Sequence, residues 1–196
     1  CDILLQTGIY KIAGLIAMDR TDIMGIRVLG DDSQLDVLYQ QGIKKAFVAI
    51  GNNQVRKKLT EKLYNIGFEL VNAISPKAVI SSFANIGVGV AIMPGAVVNA
   101  YADIGDGSII NTNSSIDHDV RVGKFCHIAP GCAVCGTTTI GNGSFIGVGS
   151  SLIDGISIGE NVMIGAGAAV ITDIESNCLA AGVPAKVKKV YGRGEG

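Results

Sequence analysis

The chain has 196 residues and a formal net charge of -1, a balance that leaves no electrostatic footprint for a nucleic acid or an anionic membrane surface. Hydrophobic residues make up 48% of it, yet Gly or polar residues break every apolar stretch within a few positions, which excludes a bilayer-crossing segment. Trp is absent and aromatics are 5%, so a core of interlocking rings gives way to an architecture of turns and small side chains.

The chain opens in mid-pattern. Asp2-Ile3-Leu4-Leu5-Gln6-Thr7-Gly8 reads as the tail of an amphipathic helix with a Gly stop, and the expectation is that residues ahead of Cys1 have been lost. Lys11 to Ala17 reads as a strand. Asp19 closes it, there either to hydrogen-bond a ribose or to begin a solvated turn. Ser33 to Gln41 reads as a helix with Ser33 as N-cap. A strand over Ala46 to Ile50, a helix over Asn52 to Asn65 and a strand over Phe68 to Val71 follow. Strand–helix alternation with near-continuous apolar strands predicts a small parallel α/β sheet over residues 1–73. Such sheets bind ligands at the carboxyl ends of their strands. Here that place is Ile50-Gly51-Asn52-Asn53, which runs into the helix carrying Arg56. Either Asn52 or Asn53 is simply the N-cap, or the free N–H groups of the helix start receive a phosphate.

From Ile74 a period of six takes over. Ile74, Ile80, Ile86, Ile92, Val98, Ile104, Ile110, Ile116, Val122, Ile128, Val134, Ile140, Ile146, Leu152, Ile158, Ile164 and Val170 follow one another without a slip. Four places after each station stands a residue that is mostly small, as in Ala96, Ala102, Ser108, Ser114, Cys126, Cys132, Thr138 and Ser144. A small residue and the next aliphatic are two apart, so both point inward from one short strand. The residues between are rich in Gly, Asn and Asp and turn a corner. Aliphatics then stack in ladders, each coil burying the one below: a parallel β-helix over residues 74–196, with a C-terminal tail.

Two histidines are available as bases. His118, two places after Ile116, projects from a corner, and His127, just before Ile128, points outward from a strand. Neither belongs to the core. His118 is flanked by Asp117 and Asp119, and a carboxylate beside an imidazole fixes its tautomer and stabilises its protonated form. Cys132-x-x-Cys135 does not read as a zinc site, because four ligands are needed and Cys126 and Cys132 fall on the inward register as small apolar fillers. No metal is expected. Five cysteines with no secretory signal point to reduced thiols and a cytoplasmic protein.

These hexads resemble the hexapeptide-repeat acyltransferases from about Ile74 to the end. That resemblance implies three hexads per turn, a left-handed coil (the crossover rule alone argues the other hand) and three chains packed side by side. A Rossmann-like domain ahead of an uninterrupted hexapeptide helix resembles the bacterial nucleotide-sugar N-acetyltransferases and their relatives the sialic acid O-acetyltransferases, the NeuD/PglD-like family. The family's first strand and Gly-rich turn are absent and would sit just ahead of Cys1. Asn111-Thr112-Asn113-Ser114-Ser115-Ile116-Asp117-His118-Asp119 is similar to the family's active-site segment. The likeness implies His118 as base and Asp119 as its partner, with Asn111 and Asp117 toward the sugar and His127 near the thioester. It also implies that the Gly136 N–H faces the acetyl carbonyl, though Gly136 reads equally as a routine corner Gly. Ala166 and Gly182-Val183-Pro184-Ala185-Lys186 match stretches that line the CoA cleft, with Lys186 either on the CoA phosphates or simply solvated.

The implied activity is acetyl transfer from acetyl-CoA to an amino group of a nucleotide-linked amino-sugar in bacterial surface glycan synthesis. The alternatives are O-acetylation of a sialic acid and a non-catalytic hexapeptide scaffold. The expected assembly is a homotrimer with sites between subunits, His118 and His127 meeting across the boundary, and with no nucleic-acid or membrane partner.

Overall fold

The computed structural model describes residues 1–18 and 22–192; Asp19 lies outside the described residues. The N-terminal helix α1 (Asp2–Thr7) ends at Gly8 in the left-handed conformation, φ 64°. Of the apolar run Lys11 to Ala17, only β1 (Leu15–Ile16) finds a strand partner, β3 (Ile26–Gly30), which it meets in parallel. The sequence reading has no counterpart for β2 (Asp22–Ile23), antiparallel to β3 across a two-residue turn. Met24 and Gly25 there both have positive φ, 56° and 74°, as tight hairpins require. Met-Gly is an unusual pair for that job, so the turn carries no local signal.

Helix α2 (Leu35–Gln40) is preceded by a tight turn at Asp32–Gln34 whose N-cap is Asp31, its carboxylate accepting from the Ser33 N–H at 2.8 Å. Ser33 is therefore capped rather than capping, because the carboxylate two residues earlier takes its N–H. β4 (Lys45–Ala46) and β5 (Glu69–Leu70) pair in parallel around α3 (Asn53–Ile66). Asn52 caps that helix, its side chain accepting from the Val55 N–H at 3.0 Å, and Gly67 stops it at φ 107°. A small core of Leu35, Leu63, Phe68 and Leu70 holds the unit, with Tyr39 edge-on to Phe68.

From Ala73–Ile74 to Ala169–Val170, two-residue strands recur every six residues. Through Ser151–Leu152, each pairs in parallel with the strand 18 residues on, as in Val97↔Ser115 and Ser115↔Ala133, so three hexads make one turn of a left-handed parallel β-helix. Its first face presents Ala91, Ile109, His127, Phe145 and Met163, its second Val97, Ser115, Ala133 and Ser151, and its third Asp103, Arg121, Thr139 and Ser157. The stations Ile92 to Val170 are buried, and each Ile or Leu kept from water is worth about 1.5–3 kcal/mol.

The corners share one backbone rule. The residue three places after each station from Ile92 to Ile164 has positive φ, whether Gly95, Asn113, Asp119 or even Phe125. Gly and Asn suit that conformation; Asp119, at φ 58°, owes its place to it.

Inward small residues do more than fill space. Ser108, Ser144 and Ser150 donate to corner carbonyls 15 residues on, at 2.8–3.0 Å. Cys126 and Cys132 do the same through Sγ, to Gly141 O at 3.1 Å and Gly147 O at 3.0 Å. The two cysteines are thus hydrogen-bonding rungs rather than apolar fillers, and burial pushes the Cys126 thiol up to about 12, keeping it a donor. After the last coil, Cys178–Ala181 joins the first face beside Met163–Ile164, and Lys186–Val190 pairs back onto it in antiparallel.

Candidate active site

His118 stands on the corner between the second and third faces. Its backbone N–H donates to Asp117 Oδ1 at 2.8 Å, and that oxygen also accepts from Asn99 Nδ2 at 3.0 Å, one coil back. Both hydrogen bonds hold the Asp117 carboxyl below the usual carboxylate range. The ring Nδ1 lies 2.9 Å from Asp119 Oδ2. As the carboxylate can only accept, Nδ1 carries the proton and Nε2 presents its lone pair outward. The hydrogen bond to Asp119, and then the charge of Asp117, raise the His118 pKa above its ordinary value. The side chain is 59% exposed, so Nε2 is open to a second molecule.

The imidazole lies against Gly136 on the next coil. A Cβ added there would stand 2.7 Å from His118 Cε1 and 2.9 Å from Nε2, a separation no side chain tolerates. Gly136 is therefore more than a routine corner residue: only Gly allows the ring this position. Among the described residues nothing accepts its N–H.

His127 occupies a different environment on the first face. Nδ1 lies 3.3 Å from Gly51 O, Nε2 lies 3.0 Å from Asn111 Nδ2, and Phe145, one coil on, packs edge-on at 5.0 Å between centroids. Burial pushes the His127 pKa down, against the upward pull of the Gly51 carbonyl and with a further downward push from Arg56. A mostly apolar cleft of about 360 Å³ runs along this face and the adjoining corner, lined by Asn111, His127, Pro130, Phe145, Val148 and Ala166 among others. Pro130, Val148 and Ala166 are 18 apart and form one corner column. The Ala166 N–H is without an acceptor among the described residues, so the column offers a free donor to a ligand.

The sequence candidates thus fall into two groups that share no residue within one chain. Asp117, His118, Asp119 and Gly136 gather on one corner; Asn111, His127 and Ala166 gather on the cleft, with Gly51 behind His127. Asn111 lies close to His118 in sequence but is bonded to His127. Gly182, Pro184 and Lys186 are not among the residues that line this cleft within one chain. Their turn closes over the last coil, where Ala185 N–H donates to Ala169 O at 2.8 Å and Ala181 packs against Gly165, next to Ala166. Lys186 is exposed.

Gly51, Asn52 and Asn53 sit where α3 meets the coil. Asn52 serves as the N-cap. Asn53 reaches Gly143 O at 3.0 Å and Ser144 O at 3.2 Å through Nδ2 and borders a second, polar groove of about 240 Å³ with Lys57, Lys124 and Glu160. The sequence reading omits Asn99, Phe145 and Pro130. One step of 18 residues from Asp117 and from His127, and two from Ala166, finds all three.

Residues 1–63 match the family model described as the PglD N-terminal domain, and residues 137–172 match the bacterial transferase hexapeptide model of six repeats. Among solved structures, GDP-perosamine N-acetyltransferase from Caulobacter crescentus, in complex with CoA and GDP-perosamine, is 43% identical over 96% of this chain and 90% of that chain, with a TM-score of 0.93. The acetyltransferase domain of PglB from Neisseria gonorrhoeae, in complex with acetyl coenzyme A, is 35% identical over 95% of this chain and 91% of that chain, with a TM-score of 0.91. WeeI from Acinetobacter baumannii, at 24% identity over 94% and 91% of the two chains and a TM-score of 0.83, shares the fold.

Proposed function

The chain belongs to the NeuD/PglD-like hexapeptide acyltransferases, and from that premise we propose that it moves the acetyl group of acetyl-CoA onto the amine of a nucleotide-linked amino-sugar, with His118 as general base. The observation that carries this is the His118 tautomer: Nδ1 is committed to Asp119, leaving Nε2 as an exposed proton acceptor. The likeness to a GDP-perosamine N-acetyltransferase supports an amine acceptor.

In the reaction, the amine nitrogen attacks the thioester carbonyl as Nε2 takes its proton. The C–N bond forms, the oxyanion collapses, the C–S bond breaks and CoA leaves as thiolate. Asp119 stabilises the imidazolium that results. The Asp119 hydrogen bond that raises the His118 pKa makes the ring a stronger base. The Gly136 N–H, beside the imidazole and without an internal acceptor, is assigned to the developing oxyanion. The first-face cleft is assigned to acetyl-CoA, with His127 and Asn111 near the thioester and the Ala166 N–H as a donor within it. Residues 1–73 are assigned to the nucleotide-sugar and residues 74–196 to acetyl transfer.

A single chain holds the base and the cleft on separate surfaces. The working enzyme is therefore assigned as a homotrimer in which one subunit's His118 faces its neighbour's His127, and a fully active monomer would overturn this. No helix among the described residues is long and apolar enough to cross a membrane, and the cytoplasm, where acetyl-CoA is available, is the assigned compartment.

The test is free-thiol release from acetyl-CoA with a panel of nucleotide-linked amino-sugars, GDP-perosamine among them, and with sialic acid. Release with an amino-sugar, about 10²–10⁴-fold weaker in His118→Ala, is the expected result. Release with sialic acid alone would transfer the assignment to a hydroxyl acceptor. No release with any acceptor would leave a binding scaffold.

A further inference from the structure

Arg56 is almost fully buried, at 1% exposure, and makes six hydrogen bonds, all to neutral acceptors. Burying a guanidinium without a carboxylate is costly unless its donors are satisfied. Burial pulls its pKa down to about 10, still well above neutrality. On the N-terminal side it holds Ile50 O at 2.9 Å, Gly51 O at 3.0 Å and Asn53 Oδ1 at 2.7 Å. On the coil side it holds Gly107 O at 2.6 Å, Phe125 O at 3.2 Å and Cys126 O at 3.1 Å.

Two of these carbonyls bracket one imidazole. Gly51 O is the acceptor facing His127 Nδ1, and Cys126 is the residue immediately before His127 in the chain. The same guanidinium thus fixes both the backbone from which His127 projects and the carbonyl its ring addresses.

The far side of the ring gives an independent check. Asn111 Oδ1 accepts from the Thr112 N–H at 2.8 Å, which assigns the side-chain amide and leaves Nδ2 as the donor toward His127 Nε2. A carbonyl on one side and an NH2 on the other admit one arrangement: Nδ1 protonated, Nε2 accepting. A protonated Nε2 would meet a donor.

We propose that Arg56 is a positioning residue of the transfer reaction, clamping the Gly51 and Cys126 carbonyls so that His127 is held as the Nδ1–H tautomer with its Nε2 turned to Asn111 in the cleft. The strand-to-helix turn of the N-terminal unit thereby becomes part of the active site's frame. Lys cannot take over, since its ammonium offers three donors from a point rather than a planar fork. The kinetic consequence rests on the acetyl-CoA assignment of the cleft; the state of the ring does not.

The test reads the ring directly, by ¹⁵N NMR of the histidine imidazoles in the full chain at neutral pH, for wild type and Arg56→Lys. The wild type should show Nδ1 protonated and Nε2 unprotonated for His127. Arg56→Lys, with its isoleucine methyl spectrum unchanged, should show averaged ring signals. Its kcat/KM should fall by about tenfold, mostly through KM for acetyl-CoA. A wild-type His127 protonated at Nε2 overturns the proposal without any variant, and so does an unaltered ring in Arg56→Lys. Should the wild type release no thiol with any amino-sugar, the transferase reading fails, while the ring spectra still decide the role of Arg56.

Discussion

His118 and His127 stand nine residues apart on the same coil scaffold and are prepared for opposite tasks. His118 is exposed, faces a carboxylate through Nδ1 and has its pKa raised. His127 is half-buried, faces a carbonyl through Nδ1 and has its pKa lowered. Both rings carry their proton on Nδ1, so the tautomer does not separate them. What separates them is the charge of the acceptor and the access of water: a carboxylate in solvent favours the imidazolium, and a neutral carbonyl in an apolar cleft does not. A base must be able to accept a proton, and a positioning group must not change its charge during turnover.

The most severe way to break this contrast is to remove the base. His118→Ala should lower kcat by about 10²–10⁴-fold, read as thiol release at saturating acetyl-CoA, whereas loss confined to KM would show that His118 only binds. Gly136→Ala comes next. Its methyl would occupy the space of the His118 ring, and a displacement of the base should cost about 10²-fold in kcat/KM. A milder change addresses the other histidine. His127→Asn keeps a donor toward Gly51 but loses the acceptor for Asn111, and KM for acetyl-CoA should rise about tenfold, the weight of one hydrogen bond at the upper end of the usual range. The acid limb of the pH–rate profile should not move in that variant, because that limb is assigned to His118.

The smallest effect is the most diagnostic. The base works unprotonated, so kcat/KM falls as pH drops through the His118 pKa, which Asp119 raises. Asp119→Asn tolerates the same positive φ but removes the carboxylate. The His118 pKa should then relax downward and the acid limb move to lower pH. An unmoved limb would assign it to another group.

The coil's stations and corners were legible in the sequence, since each station is an aliphatic forced inward by its spacing and local corner chemistry agrees with it. Its hand came from the resemblance alone, and its thiol rungs read as apolar fillers. The N-terminal unit was legible in outline. Its helices were placed to within a few residues, but the cap fell to Asp31 rather than Ser33, and the Met24–Gly25 hairpin had no signal. His118, Asp119 and Gly136 could be gathered by counting hexads, because the coil converts sequence distance into spatial distance. The contact of Gly51 with His127, 76 residues apart, and the reach of Arg56 across to Cys126, 70 residues apart, obey no such ruler. They depend on how a sheet-and-helix unit docks against the coil, which no repeat encodes.

The 18-residue pairing register also governs which changes of length the chain can absorb. Excising one hexad between His127 and Phe145 would carry every later residue round to a neighbouring face, moving Phe145 off the surface it shares with His127 and replacing each later hydroxyl or thiol rung by one from a different sheet. Excising 18 residues would delete a whole turn and leave all three faces in phase. A coil of this kind should therefore lengthen and shorten in whole turns. Its two histidines can be moved apart along the axis in steps of one coil, but not by any smaller amount without changing the face they occupy.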